Sequence, residues 1–431
     1  MSVAAAANAC RLPLTRLLQL FISFFFGSPL SLAQAAAKAL QNIKTFRVLP
    51  GGRNFSVMEE GGQFHAAWIE TQPMAGAMYS TRDARVGLNN QLVFIAAQRA
   101  DGFLPGQVSA GPTSPSRRQP DAMVAMDAMD AMAARAAIPR LVSPPPPPPP
   151  GPSQGGTIQG LFFATPATDM AWYLTQAGPT NQAAEYNAAL TKALTAYDGW
   201  LWATRNTTAM CTPRSIGCAR NLVPSPCCKG DAAGTPHRGL LWSVGISDSG
   251  EDSSTRFCKI ANHTTPYAPC VESYVFPIQS GDVTSYSYDC RASLARLARF
   301  RGDPTAAAGW EAKAAAVAAN LKAQLWDPER SAMFAKDATD AVVTTLVHDG
   351  LRMMWQGAYD QEMADAFVTT HIMNMSEFWT ATPLPSISVS DSRYNALKNA
   401  NSWSGRPMYG HFDITLGPHL TSALHDPTRA E

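Results

Sequence analysis

The sequence predicts an all-α fold in which helical hairpins are arranged as a toroid. Downstream of residue 180, apolar residues recur at spacings of three and four over several long stretches, as in amphipathic helices. Short turns such as Gly302–Pro304 separate successive stretches, which predicts antiparallel helix pairs. The segments with unusual chemistry fall between these pairs, as expected of a toroid whose functional loops gather at one end.

The individual helices follow from their apolar stripes. Helices are predicted over 182–203, 284–300, Thr305–Leu325, 340–356 and 359–371. The stripes of the first three are Tyr186, Leu190, Leu194, Tyr197 and Leu201; Tyr286, Cys290, Leu294 and Leu297; and Trp310, Ala314, Val317, Leu321 and Leu325. Upstream, "FHAAWIETQP" and "QLVFIAAQRADGFLPG" mix short strand-like runs with turn residues.

Residues 1–35 have the features of a signal peptide. Arg11 and Arg16 precede the apolar run "LLQLFISFFFGSPLSL", and "AQA" at Ala33–Ala35 offers a small-residue cleavage site. An uncleaved anchor and an organellar transit peptide are the alternatives. We expect a secreted or secretory-lumen glycoprotein, because four Asn-x-Ser/Thr sequons (Asn54, Asn206, Asn262 and Asn374) fit that route.

The rest of the chain divides by composition. Residues 36–107 are predicted to be the N-terminal part of the catalytic domain and 157–410 its main, toroidal part. Between them, 108–156 contain Met-Asp-Ala repeats and seven consecutive prolines, Pro144–Pro150, which predicts a disordered insertion. Residues 411–431 read as a divergent tail.

The cysteines predict disulfide bonds. Removal of the signal takes Cys10 and leaves seven, and no C-x-x-C pair of a zinc site is among them. Four lie in the segment "CTPRSIGCARNLVPSPCCKGD", namely Cys211, Cys218, Cys227 and Cys228. In an oxidising compartment we expect at least one disulfide among these four.

Composition and motifs exclude several classes of function. A formal net charge of +1 argues against a nucleic-acid partner or an anionic membrane surface once the signal is removed. The sequence has no H-E-x-x-H, G-x-S-x-G or phosphate-loop motif. The segment "DSGEDSST" fits a calcium loop poorly, since Gly250 stands at its third position. We therefore expect no metal and no cofactor.

Carboxylates among aromatic residues indicate a sugar site instead. The segment "SVGISDSGEDSSTRF" places Asp248, Glu251 and Asp252 within five positions, although it is also compatible with a solvated loop. Two further polar loops, "EFWTATPLPSISVSDSRY" and "NSWSGRPMYG", display Trp379 and Trp403. Cleavage of a glycosidic bond needs a protonated acid and a second carboxylate across the ring, so an oligosaccharide or small glycoside is the expected ligand.

These loops resemble those of six-hairpin glycosidases. "DSGEDSSTRF", "EFWTATPLPSISVSD" and "NSWSGRP" are similar to the loops of the mannosylglycerate-hydrolase-like relatives of glycoside hydrolase family 63. "AAWIETQP", "NNQLVFIAAQRADGFLPG", "IQGLFFATPATDMAWYL" and "YDGWLW" agree, so the resemblance covers roughly residues 60–106 and 157–410. It implies an (α/α)6 toroid and metal-independent, usually inverting hydrolysis at an α-linked sugar.

The resemblance also implies roles for individual residues. The general acid falls on Asp252, and Asp248 and Glu251 are expected to position it or a sugar hydroxyl. The other positions expected to bind substrate are Trp68, Asp101, Phe163, Trp242, Arg256, Trp379, Trp403 and Arg406.

The general base is implied to be a Glu on C-terminal hairpins far beyond "WSGRP". This chain ends 21 residues after Gly410, so we expect an incomplete toroid that lacks the base. The alternatives to an active glycosidase are a non-catalytic carbohydrate-binding protein and an inactive truncated glycosidase.

Overall fold

The structure of the chain is a computed structural model. It describes residues 43–48, 53–58, 66–109, 158, 162–177, 180–206, 239–251, 254–264, 270–271, 275–380 and 384–395. The predicted signal peptide, the cysteines at 211–228, nearly all of the Pro-rich insertion and the tail lie outside these residues.

The N-terminal part combines short strands with a helical hairpin. Strands β1 (Ile43–Val48) and β2 (Arg53–Met58) pair in antiparallel register, Ile43 opposite Met58. Strand β3 (Ala66–Trp68) pairs with β4 (Gln107–Ser109), so ordered pairing continues two residues past the predicted boundary at 107.

The first helical hairpin consists of α1 (Gln72–Tyr79) and α2 (Ala84–Ala96). Asp83 caps α2, since its side chain accepts hydrogen bonds from the amides of Arg85 and Val86. The two helices cross at Gly76, where a Cβ would come within 2.4 Å of the Asn90 Cβ. Glycine is therefore required for this close approach.

Four long helices confirm the periodicity of the sequence. They are α3 (Ala164–Ala177), α4 (Thr180–Thr204), α6 (Gly281–Phe300) and α7 (Pro304–Leu325). A single helical turn, α5 (Ile246–Ser249), lies between α4 and α6. The predicted helices 182–203, 284–300 and Thr305–Leu325 match α4, α6 and α7 to within three residues at each end.

The turn between α6 and α7 has the expected chemistry. Gly302 adopts a φ of +70°, and Asp303 caps α7 by accepting a hydrogen bond from the amide of Ala306. Helix α6 packs against α7, α3 and α4 and is the central element of this part.

Two predicted helices are shorter than expected. Within 340–356 only α8 (Asp349–Trp355) is helical, and Val342–Val343 form strand β10. Within 359–371 the structure has α9 (Gln361–Phe367), continued by a π-helix at Val368–Ile372. The apolar spacing of 340–356 is equally met by an irregular segment packed on the core, which explains the error.

The β-structure after residue 240 is limited to short pieces. Strands β5 (Trp242–Ser243), β6 (Ile278–Gln279), β9 (Ala335–Asp337) and β10 form one sheet in the order β10-β9-β6-β5. Strands β7 (Trp326–Asp327) and β8 (Ala332–Met333) form a separate pair. These strands connect helices without forming a layer, so the all-α class stands.

The buried side chains form two hydrophobic clusters. The first joins Phe55 and Phe94 of the N-terminal part to Leu194 on α4 and Tyr286 on α6, so both sides of the Pro-rich insertion share one core. The second lies under α7, α8 and α9 and includes Leu321. Within the described ranges, none of the helices is both long and apolar enough to span a bilayer.

Candidate active site

The acidic segment lies between β5 and β6. We call residues 244–257 the acid loop; it contains α5 and ends in a 3₁₀ turn at Thr255–Phe257. Gly250 has a φ of +72°, the region that favours glycine, and this reverses the chain directly after α5. The predicted general acid Asp252 lies outside the described residues, as does Ser253.

Asp248 fixes the first half of the acid loop. Its carboxylate accepts hydrogen bonds from the amides of Val244 (2.8 Å) and Ile158 (3.1 Å), and Nε of Arg205 lies 3.4 Å away. The residue is 2% exposed. These contacts join the loop to Arg205, directly after α4, and to Ile158, before α3, which is a positional role.

Arg256 is the centre of a buried charge cluster, and each of its three nitrogens faces a carboxyl group. Nε lies 2.9 Å from Oε2 of Glu251, Nη2 donates to Asp282 at 3.1 Å, and Nη1 donates to Asp349. Asp282 and Asp349 occupy the first turns of α6 and α8. One guanidinium therefore ties the acid loop to the starts of two helices.

Burial and mutual repulsion leave these carboxyls in different protonation states. Burial, with added repulsion from Asp349, raises the pKa of Glu251 well above its usual range and outweighs the effect of Arg256. Burial also raises the pKa of Asp282. Burial also acts to raise the pKa of Asp349. Three effects outweigh it and lower this pKa, namely the positive charge of Arg256, a hydrogen bond from Glu251 and the positive charge of Arg352. Glu251 thus keeps its proton and Asp349 is ionised.

This assignment changes the expected effect of the neighbours on Asp252. Negatively charged neighbours can keep a general acid protonated by raising its pKa. A protonated Glu251 supplies no such charge, and the carboxylate of Asp248 is compensated by Arg205 and two amides. Both residues are better suited to holding the loop than to tuning the acid.

A second buried arginine supports the cluster from α8. Arg352 donates through Nη1 to the carbonyl of Ser249, and its Nη2 lies 3.8 Å from Oε1 of Glu70. Its guanidinium carbon lies 5.2 Å from the centre of the Phe162 ring. The "AAWIETQP" segment and the acid loop are therefore neighbours in space.

A small pocket opens beside Arg256. Asp282 and Asp349 line it together with the hydroxyl side chains of Ser280 and Thr345. The apolar part of its wall comes from Met333, Val343, Val347 and Met353. Its volume is about 20 Å³, which is room for a water molecule and not for a sugar ring.

The loop that follows Trp379 is fastened to both sides of this pocket. Asp391 accepts a hydrogen bond from the amide of Leu346 (2.7 Å), and Nη1 of Arg393 donates to the carbonyl of Thr255 (3.0 Å). Nδ1 of His348 lies 2.8 Å from the carbonyl oxygen of Ser386. Burial lowers the pKa of His348 to about 4, so this ring is neutral. The structure thus gathers these two predicted loops at one end of the helices.

The predicted aromatic ligands occupy different environments. Trp379 is 43% exposed, whereas Trp242 is 3% exposed and pairs through β5 with Gln279. Trp68 is half-buried on β3. Phe163 is fully buried and meets Phe94 edge-on in the core, while its neighbour Phe162 contacts Arg352. Phe163 therefore has a packing role, and Phe162 is the aromatic residue that reaches the cluster.

Asp101 is engaged within its own loop. Its carboxylate pairs with Arg99 and accepts a hydrogen bond from the amide of Phe103, and the Arg99 hydrogen bond lowers its pKa. A substrate contact by Asp101 remains a prediction. Trp403 and Arg406 lie outside the described residues.

Sequence reasoning missed Glu70, Asp282, Asp349 and Arg352. Asp282 and Asp349 each stand in the first turn of a helix, where an acidic residue is also favoured by the helix dipole. The available signal was the i,i+3 pair Asp349 and Arg352 on a short, largely apolar stretch, because charges within such a stretch must be paired.

Comparison with known proteins identifies the region that holds this site. Residues 231–407 match the family described as "Mannosylglycerate hydrolase MGH1-like glycoside hydrolase domain". The matched region includes the acid loop, α6 to α9 and the loop after Trp379. A search of curated proteins finds no match.

Solved structures show that the chain shares the fold of a known enzyme. GH63 mannosylglycerate hydrolase from Thermus thermophilus in complex with glucose is 16% identical, with a TM-score of 0.55 over 92% of this chain and 89% of the enzyme. The complexes of the same enzyme with Tris, and with Tris and D-glycerate, are also 16% identical, with TM-scores of 0.56 and 0.54. The first covers 92% of this chain and 90% of the enzyme, the second 86% and 83%.

The shared fold and the matched region agree with the geometry of the acid loop. Residues 231–407 match the mannosylglycerate-hydrolase-like glycoside hydrolase family, and the chain shares the (α/α)6 toroid fold of the solved mannosylglycerate hydrolase.

Proposed function

We propose that this chain is an inverting hydrolase of α-linked glycosides in which Asp252 is the general acid. The observation that supports the proposal is the contact between Glu251 and Arg256, which lie on either side of Asp252 in the sequence and whose side chains are 2.9 Å apart. Arg256 is held in turn by Asp282 and Asp349 at the starts of α6 and α8. A loop fixed in this way suits precise delivery of a proton to the leaving oxygen.

The carboxyls of the cluster serve the acid loop rather than a water nucleophile. An inverting enzyme separates its acid and base by about 6.5–9.5 Å, so that a water molecule fits between the sugar and the base. Glu251 keeps its proton, and Asp282 and Asp349 are each bound to Arg256. We assign to these three residues the task of fixing the loop.

The substitution Asp252→Asn tests the assignment. A general acid matters most when the leaving group is poor, so kcat for an alkyl α-glycoside should fall by several orders of magnitude while substrate affinity is retained. An α-glycosyl fluoride, whose leaving group needs little protonation, should lose much less activity. NMR detection of the β-anomer as first product checks inversion.

Asp340→Asn is the matched control. Asp340 is exposed on the β9–β10 turn, and its φ of +69° is a region that Asn tolerates. This variant should keep full activity. An Asp252→Asn enzyme with unchanged kcat removes the acid assignment, and sugar binding without any hydrolysis by the unsubstituted chain identifies a carbohydrate-binding protein instead.

We also propose that the chain enters the secretory route. A disulfide joins Cys258 and Cys270, which fits an oxidising compartment. The described sequons differ in how accessible they are. Asn54 is exposed, and Asn374 is half-buried beside the exposed Met375. Asn262 is only 8% exposed, and its side-chain oxygen accepts a hydrogen bond from the amide of Thr264. After expression in a eukaryotic secretory system, Asn374→Gln should remove one enzyme-releasable glycan and Asn262→Gln none. A mature chain that carries no glycan and retains residues 1–35 contradicts the proposal.

A further inference from the structure

A histidine in the π-helix that continues α9 lies between two hydrogen-bond acceptors. Nδ1 of His371 is 2.6 Å from Oε2 of Glu377, and its Nε2 is 2.6 Å from the carbonyl oxygen of Arg330. His371 is 6% exposed, and π-helical turns such as Val368–Ile372 are frequent at functional sites. We call the contact between His371 and Glu377 the histidine latch.

The geometry of the latch requires a shared proton. A carbonyl oxygen can only accept, so Nε2 of His371 donates to Arg330. A proton must also lie between Nδ1 and the carboxyl oxygen of Glu377, because two lone pairs 2.6 Å apart repel each other. The latch therefore holds one proton more than a neutral histidine beside a carboxylate, and loss of this proton opens it.

The groups around the ring fix this arrangement. The turn that presents the Arg330 carbonyl is held by Asp327, which accepts hydrogen bonds from the amide and from Nε of Arg330. The positive charge of Arg330 is thus paired with Asp327, at 2.6 Å. From α9, the ring centre of Phe367 lies 5.6 Å from that of His371. Among the residues that the structure describes, Glu377 is the charged side chain that meets the imidazole.

Glu377 belongs to the turn that carries Trp379. The carbonyl of Asn374 accepts hydrogen bonds from the amides of Glu377 (3.0 Å) and Trp379 (2.9 Å). Trp379 is exposed, as are Met373 and Met375 of the same segment, and such a group of exposed apolar side chains indicates a binding surface. Release of Glu377 therefore loosens the turn on which the indole is mounted.

We propose that His371 is a positioning residue for sugar binding, because its proton-dependent contact with Glu377 holds the turn that presents the Trp379 indole to the sugar. The proposal rests on the proposed function and adds a pH-dependent affinity to it. A histidine changes its charge between about pH 5 and pH 8, so the latch is closed at the acidic end of this range and opens at the alkaline end. Sugar affinity therefore falls as the pH rises.

The substitution Glu377→Gln isolates the proton. The glutamine amide can donate to Nδ1 of a neutral His371, so the contact forms without the additional proton. In the unsubstituted chain, KM for methyl α-glucoside or methyl α-mannoside should rise about fivefold from pH 5.5 to pH 8. Glu377→Gln should keep the low KM at both pH values, and the ratio of the two kcat values should not change with pH. A merely structural contact predicts the same KM profile for both proteins.

His371→Ala and Glu362→Gln complete the set. His371→Ala removes the latch, so its KM should be high at both pH values. Glu362→Gln is the matched control, because Glu362 stands in the first turn of α9 with its side chain 90% exposed. Its KM should follow the profile of the unsubstituted chain. Urea unfolding at pH 5.5 checks that each variant is folded.

Hydrogen exchange detects the latch without a sugar. The amides of Glu377, Phe378 and Trp379 all bond to the Asn374 carbonyl. In the unsubstituted chain their protection factors should be about fivefold lower at pH 8 than at pH 5.5. In Glu377→Gln they should be the same at both pH values. Equal protection at both pH values in the unsubstituted chain overturns the latch.

The outcomes separate this proposal from the proposed function. Efficient hydrolysis with the same KM profile in the unsubstituted chain and Glu377→Gln overturns the positioning role and leaves the proposed function in place. If the chain binds either glycoside without hydrolysis, calorimetric affinities replace KM, and a pH-dependent loss that is absent from Glu377→Gln supports the latch while contradicting catalysis. Absence of binding and hydrolysis with both glycosides contradicts both proposals.

Discussion

The side chains of Glu251 and Arg256 meet 2.9 Å apart inside the protein, although Asp252 lies between them in the sequence. Both residues are almost fully buried. Because Arg256 also binds Asp282 and Asp349, it joins Glu251 to the starts of α6 and α8. These three contacts therefore depend on one guanidinium.

Replacement of Arg256 by Met should strongly destabilise the fold. Removal of the cation leaves buried carboxyls without their partner, and breaking a buried ion pair in this way costs about 3–5 kcal/mol. Urea unfolding at neutral pH measures the change. Because protonation relieves the isolated carboxyls, the loss should become smaller at pH 5.

Arg299→Met provides the comparison for this variant. Arg299 also pairs with a glutamate, Glu311, but more than half of its side chain is exposed. Exposed ion pairs contribute little, so its free energy of unfolding should hardly change. Equal effects of the two substitutions argue against the central role of Arg256.

Trp379→Ala should weaken sugar binding without loss of stability. Trp379 is 43% exposed beside the loop that borders the pocket, and an indole ring at this position can stack on the apolar face of a sugar. We expect KM to rise about tenfold with little change in kcat. Trp172→Ala on α3, where the indole is 51% exposed, should leave KM unchanged. A similar KM for both variants excludes Trp379 from the binding surface.

Removal of the Cys258–Cys270 disulfide should affect stability and the acid loop together. The bridge closes a segment of sequence separation 12, for which the loss of chain entropy predicts about 3 kcal/mol. Cys258 directly follows the acid loop, and its carbonyl accepts a hydrogen bond from Arg393. The double variant Cys258→Ser/Cys270→Ser should lower both the urea midpoint and kcat. Unchanged stability in the double variant contradicts this.

The helices were predictable because their signal is local. The stripe Ala314, Val317, Leu321 and Leu325 is visible in the sequence and is buried in the structure. The acid loop was also recognised, since three carboxyls within five positions stand out in a chain of few charges. In both cases neighbouring residues along the chain carry the information.

The contacts of the site were not predictable in the same way. Asp282 and Asp349 come from the starts of two helices, 67 residues apart, and meet only because Arg256 lies between them. Nothing local distinguishes Phe162 from Phe163, yet one reaches the cluster and the other the core. Such choices depend on how the helices pack.

The last prediction concerns the pH dependence of stability, through Asp289 on α6. Burial raises the pKa of Asp289 to about 7, although its carboxylate accepts a hydrogen bond from the hydroxyl of Thr165 at 2.5 Å. The neighbouring pair Asp169 and Arg296 is half-exposed and has a smaller influence. The folded chain thus keeps a proton that the unfolded chain releases near pH 4.

The sign of the effect follows from proton counting. Between pH 4 and pH 7 the folded state binds one more proton at this site, so the free energy of unfolding falls as the pH rises and reaches its lower level above pH 7. From pH 5 to pH 8 the ionisation of Asp289 lowers the free energy of unfolding by about 2–3 kcal/mol.

Asp289→Asn should remove this loss, because Asn cannot ionise and still accepts the Thr165 hydrogen bond. Asp303→Asn, at the exposed cap of α7, should leave the pH dependence as it is. Urea unfolding at both pH values measures the difference, and parallel pH profiles for the unsubstituted chain and Asp289→Asn contradict the assignment of this proton to Asp289.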